Sequence, residues 1–126
     1  MLKISVEEDC GNAPKKIFLR DFNIAFAEGN NEYLLESISD DITWNLVGNQ
    51  VVQGKEKFVQ ELEKMLSSKA SELIIYTIIT HGNAGTINGT MSFEDGSIIA
   101  FCDVYLFSGY GPQAKIKTIT SYGIDL

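Results

Sequence analysis

Histidine and cysteine are scarce in this chain: there is one histidine, His81, and two cysteines, Cys10 and Cys102. The two thiols are distant from each other in sequence and have no metal-ligand spacing with His81. That argues against a Cys/His zinc site and against a disulfide framework, and no metal is expected. Free thiols in a reducing compartment are the expectation. Basic residues are also few, ten against seventeen acidic ones, for a net charge of −7. Nucleic acid and anionic membrane, both held by basic patches, are therefore not expected partners. No apolar run approaches the roughly 20 residues that span a bilayer. The first ten residues lack the basic and then apolar pattern of a signal peptide, so a cytoplasmic location is expected. There is no Gly-rich phosphate loop, no G-x-S-x-G elbow and no paired-carboxylate motif. No cofactor is expected.

What the chain does have is patterned apolar residues. Its 126 residues fit one domain, and a chain of that length buries a core without metal or disulfide support. Residues 1–12 are polar and read as a loose N-terminal segment. Pro14 suits a helix start, and Phe18, Phe22, Ala25 and Phe26 recur at helical spacing up to Gly29. Asn30 and Asn31 suit the joint to a second short helix carrying Leu34, Leu35 and Ile38, which Asp40 and Asp41 are expected to break. A first strand is expected over residues 42–47, with a short extended piece at Val51 and Val52. Phe58, Val59, Leu62, Met65 and Leu66 form the stripe of a third helix after Gly54. Four strands follow, over residues 73–81, 86–93, 98–107 and 115–124, separated by turn signals such as Gly82-Asn83 and Asp95-Gly96. Helices first and strands after, joined by short turns, predict an α+β domain on a mostly antiparallel sheet.

Several stretches together resemble the nuclear-transport-factor-2-like superfamily, which includes ketosteroid isomerases and SnoaL-like polyketide cyclases. They are Phe26-Ala27-Glu28-Gly29-Asn30-Asn31 before Leu34-Leu35; Ser39-Asp40-Asp41-Ile42-Thr43-Trp44; Gly54-Lys55-Glu56-Lys57-Phe58; and Phe101 to Phe107 followed by Lys115-Ile116-Lys117-Thr118-Ile119. The resemblance covers nearly the whole chain after residue 13. It implies three helices packed on a strongly curved, mixed sheet that forms a cone with an internal, largely apolar pocket. It also places three catalytic positions of the isomerases. The general base falls at Asn45, whose amide cannot take a proton at neutral pH. The tyrosine oxyanion donor falls at Phe22, which has no hydroxyl. The protonated aspartic acid donor falls at Asp103, which is kept. Steroid isomerisation by that mechanism is not expected.

Asp103 is a carboxylate within an apolar strand, on one face with Phe101, Tyr105 and Phe107 by alternation. Burial there would raise its pKa and let it donate to a ligand or act as acid or base. The alternative is a structural aspartate paired with Lys115, Lys117 or a backbone N–H. Thr43, Asn45 and Val47 share one face of the first strand, and the resemblance turns Asn45 to the pocket, with Trp44 packed opposite. His81 ends a strand; it is either a solvated turn residue or a partner for Asp103. Cys102 points away from Asp103 and reads as a small buried apolar residue. Catalytic candidates are thus Asp103, Asn45 and His81. The expected pocket wall is Phe18 and Phe22 from the first helix, Phe58 from the third, and Val47, Met91, Phe101, Tyr105 and Ile119 from strands.

Three functions fit these features. One is a module that binds a small, largely apolar molecule without turnover. Another is a cofactor-independent isomerase, cyclase or hydratase using Asp103 as acid or base. The third is an interaction role, since strands 73–81 and 98–107 are apolar on both sides and sheets of that kind bury both faces. A homodimer through the outer sheet face is expected with either of the first two.

Overall fold

The computed structural model describes residues 2–7 and 13–126. Three helices, α1 (Pro14–Glu28), α2 (Asn31–Ser37) and α3 (Lys55–Met65), pack on a seven-stranded mixed sheet. The strands are β1 (Lys3–Val6), β2 (Ile38–Leu46), β3 (Gln50–Gln53), β4 (Ala70–His81), β5 (Ala84–Phe93), β6 (Ile98–Phe107) and β7 (Ile116–Asp125). Their order across the sheet is β1-β4-β5-β6-β7-β2-β3, so β1 and β3 are its edges and the sheet is not closed. The α+β class is as the sequence predicts.

Pro14 opens α1 at a position where its missing N–H has no helical partner in any case. Gly29 closes it in the left-handed region at φ 71°, and the amides of Gly29 and Asn30 donate back to the carbonyls of Phe26 and Ala25. The Asn30 side chain accepts from the Tyr33 amide at 3.2 Å and so caps α2. In α1 the buried side chains are Leu19, Phe22, Asn23, Ala25 and Ala27, and in α3 they are Phe58 and Leu62. These meet Leu73, Ile75, Ile87, Tyr105 and Ile119 from the sheet to form one core.

Three expectations need correction. The N-terminal segment is not wholly loose: residues 3–6 pair parallel with Glu72 to Ile75 of β4. Cys10 lies outside the described residues. The first strand begins at Ile38, because Asp40 and Asp41 bulge out of the sheet instead of ending a helix in a loop. β2 advances five residues between Ile38 and Thr43 while β7 advances two between Ile116 and Thr118. The exposed Asp40 is held by the Lys55 ammonium at 3.2 Å. Cys102 is exposed and not a buried apolar residue, since alternation on β6 turns it to the outer face of the sheet.

Gly89 sits where β4 bulges by one residue at Tyr76, between the pairs Ile75–Gly89 and Thr77–Asn88. A Cβ there would lie 1.9 Å from the Ile74 carbonyl oxygen, a backbone atom that cannot rotate away. Gly89→Ala should therefore lower stability by at least about 2 kcal/mol. Urea unfolding checks this, and an unchanged midpoint would show that the two strands separate without cost.

Candidate functional site

Four strands and one face of α1 converge on a half-open cavity of about 430 Å³. Met91, Phe101 and Ile119 supply part of its apolar wall from β5, β6 and β7, and Phe22 and Phe26 from α1. Trp44 and Leu46 close it from β2. The Trp44 ring stacks edge-on against Phe26 at 5.8 Å and lies 5.0 Å from Phe58, which holds the indole in place from both sides.

The polar groups on the cavity floor are joined to one another. Asp103 and Tyr105 are two apart on β6 and so share its inner face. The Tyr105 hydroxyl donates to Asp103 Oδ2 at 3.3 Å and accepts from Asn23 Nδ2 at 3.1 Å. Asn23 Nδ2 also donates to the Leu19 carbonyl at 2.8 Å, one turn back along α1. Ser121 stands opposite Asp103 in the β6–β7 register, and its hydroxyl donates to the Asp103 carboxylate. The same Ser121 Oγ accepts from Trp44 Nε1 at 2.9 Å. Hydrogen bonds thus run from α1 through β6 and β7 to β2.

Burial raises the Asp103 pKa from 3.8 to about 6, and the hydroxyls of Ser121 and Tyr105 hold it from rising further by stabilising the carboxylate. Tyr105 is pushed well above its ordinary value, first by burial and then by the Asp103 charge, so it remains a donor. A carboxyl group that titrates near neutrality and faces a cavity is suited to acid–base work or to holding a polar ligand group.

No family model matches the sequence, and no curated protein matches it either. Solved structures do. One from Cytophaga hutchinsonii, an NTF2-like protein of unknown function, is 30% identical, with 86% of this chain and 97% of that one covered at a TM-score of 0.66. The chain belongs to the NTF2-like superfamily. A second NTF2-like protein of unknown function, from Burkholderia xenovorans, superposes at a TM-score of 0.76 over 90% of this chain and 84% of that one, at 16% identity. A protein of Shewanella denitrificans assigned as a SnoaL-like polyketide cyclase gives 0.72 over 88% and 90%, at 11% identity. At such identities these two share the fold alone.

Within this NTF2-like fold, the cavity gathers Asp103, Phe22, Val47, Met91, Phe101, Tyr105 and Ile119 from the positions singled out in the sequence. It does not gather the rest. Trp44 and Leu46 occupy the cavity side of β2, and Asn45 turns to the opposite face, where it pairs with Thr120 of β7 and Val51 of β3. Carrying the isomerase base onto Asn45 therefore assigned the wrong face of the strand. His81 is exposed at the β4–β5 turn. It is opposite Ala84 while Asp103 is opposite Ile87, so the two stand roughly 10 Å apart along the strands and two strands across, beyond hydrogen-bond reach. Phe18 packs edge-on against Phe107 at 5.4 Å, and Phe58 lies behind Trp44. Lys115 and Lys117 are not the partners of Asp103; Lys115 Nζ donates instead to the Glu36 carbonyl. Asn23, Ser121 and the cavity-facing role of Trp44 escaped the sequence reading. Asn23 could have been found as a polar residue on the apolar stripe of α1, one position from Phe22.

The sign of the pH effect follows from Asp103. Its folded pKa, about 6, exceeds the unfolded value near 3.8. The folded chain thus binds more protons between those values, and its stability falls as pH rises through that window. The displacement corresponds to about 3 kcal/mol. Asp103→Asn keeps the shape and removes the charge. It should raise the melting temperature relative to the native chain at pH 7.5 and lose most of that advantage at pH 3.5. Calorimetry at the two pH values checks this; an equal difference at both would mean that Asp103 titrates normally.

Proposed function

We propose that the concave side of the sheet, closed by the helices as a cone, binds a small, largely apolar molecule beside Asp103. The observation that carries this reading is the 430 Å³ cavity with a mostly apolar wall and one connected polar floor. Volumes of about 300–1,000 Å³ with a few convergent polar groups are usual for small-molecule sites. The relatives of known structure share the fold without naming a ligand for this chain.

Trp44 is the one tryptophan of the chain and lines the cavity, so its fluorescence reports occupancy directly. Apolar compounds of fitting size should quench or shift that emission and raise the melting temperature. Ile119→Phe, which adds volume at the wall, should weaken such binding by about tenfold or more. Absence of any emission change across a varied panel would overturn the proposal.

A second reading is supported by the pKa of about 6 at Asp103: an isomerase, cyclase or hydratase without a cofactor, with Asp103 moving the proton. Under that reading Asp103→Asn abolishes turnover of a carbonyl substrate while the fold persists. Lack of turnover of any polyketide-like or steroid-like carbonyl compound by the native chain leaves binding as the function.

The outer face of the sheet supports pairing with a second copy. The outward side chains of β6 run Ala100, Cys102, Val104 and Leu106, and those of β5 run Thr86, Asn88, Thr90 and Ser92, with no charge among them. Ile79 of β4 and Leu106 are 59% and 42% exposed there, and Glu72, opposite Ser92 at one end of β5, is the carboxylate that β4 adds to this face. Sedimentation at micromolar concentration should give twice the 13.9 kDa chain mass, and Leu106→Glu should give the monomer. A monomeric native chain would overturn this interface.

A further inference from the structure

Resting on the reading that the cavity binds a small apolar molecule, we infer that the ligand brings a protonated amine to Asp103, with its apolar body among the aromatic rings. The directions of the floor hydrogen bonds point to this. Both amide hydrogens of Asn23 are used, one on the Leu19 carbonyl and one on the Tyr105 hydroxyl. The Tyr105 hydrogen is used on Asp103, the Ser121 hydrogen on the same carboxylate, and the Trp44 indole hydrogen on Ser121. Every donor of the floor is thus satisfied within the protein. The hydrogen-bonding capacity that remains on the floor is acceptor capacity, chiefly that of the Asp103 carboxylate, which has about four lone-pair sites and receives two of these bonds. The floor offers acceptors and needs a donor.

Charge narrows the class. The cavity lining includes two carboxylates, Asp103 on the floor and Asp125 at the exposed rim, and among the described residues no Lys, Arg or His. An anionic ligand would meet repulsion without a counter-charge. A ketone or ester would find no free N–H or O–H on the floor. An alcohol could donate to Asp103 but would leave its charge uncompensated, whereas an ammonium group supplies both donor and counter-ion. Phe22, Phe101 and Trp44 line the same cavity, and aromatic rings beside the carboxylate favour a cation further. The mostly apolar wall then selects amines with an aryl or alkyl body over compact polar ones.

A matched set of probes tests this at pH 7.5: 4-phenylbutylamine, 4-phenylbutan-1-ol, 4-phenylbutan-2-one and 4-phenylbutyrate, each titrated into the full chain by calorimetry and Trp44 emission. The amine should bind at least tenfold more tightly than the other three, and Asp103→Asn should bring it to the level of the alcohol. If the ketone, the acid or the alcohol equals the amine, the inference falls while the apolar cavity stands. If none of the four binds, the cavity reading falls with it. An amine preference that survives in Asp103→Asn would assign it to other acidic groups and overturn the role of Asp103. Should that variant fail to fold, the ranking in the native chain still decides.

Discussion

Asp103 is held in an apolar setting by hydroxyls from two strands, and most of what positions the cavity depends on that arrangement. Tyr105 reaches it from the same strand and is itself anchored to α1 through Asn23; Ser121 reaches it from β7 and is tied through Trp44 to β2. A buried carboxyl group without such partners would cost several kcal/mol. With them it remains ionisable and yet displaced upward, to about 6. The bonds that satisfy the carboxyl also fix the helix above the sheet and the indole at the cavity wall. Electrostatics and packing therefore constrain the same residues: moving α1 breaks the contact to Tyr105, and moving β2 breaks the contact to Ser121.

The α+β class and the three helices were legible in the sequence, and so were the strands after residue 70, because apolar periodicity there is strong and the turn chemistry unambiguous. So was Asp103, since a carboxylate within ten apolar-rich residues stands out. β1 was not legible. Four residues with an exposed pattern carry no strand signal of their own, and their conformation comes from pairing with β4 some seventy positions later. The start of β2 was missed for a related reason: Asp40 and Asp41 read as a break, and the bulge that accommodates them is a property of the pair β2–β7.

The face of β2 was misjudged because a family correspondence was applied at single-residue precision. In a strand one step reverses the side, so the match at Asn45 reversed the roles of Asn45 and Trp44. Ser121 and the partners of Asn23 were invisible for another reason. A serine within Thr-rich β7 gains meaning only from what faces it in space, and although Asn23 stands out on the apolar stripe of α1, no spacing rule joins residues 23, 103 and 121.

The floor bonds connect positions remote in sequence: Asn23 to Tyr105 spans 82 residues and Trp44 to Ser121 spans 77. β2 finds its main partner in the last strand of the chain, from Ile116 to Asp125. Topologies dominated by such non-local pairing fold slowly, in the millisecond to second range, because loop closure is completed before the contacts repay it. During synthesis the helices emerge with one side of the cavity and wait for β6 and β7. The cavity is thus completed only when the final strand docks.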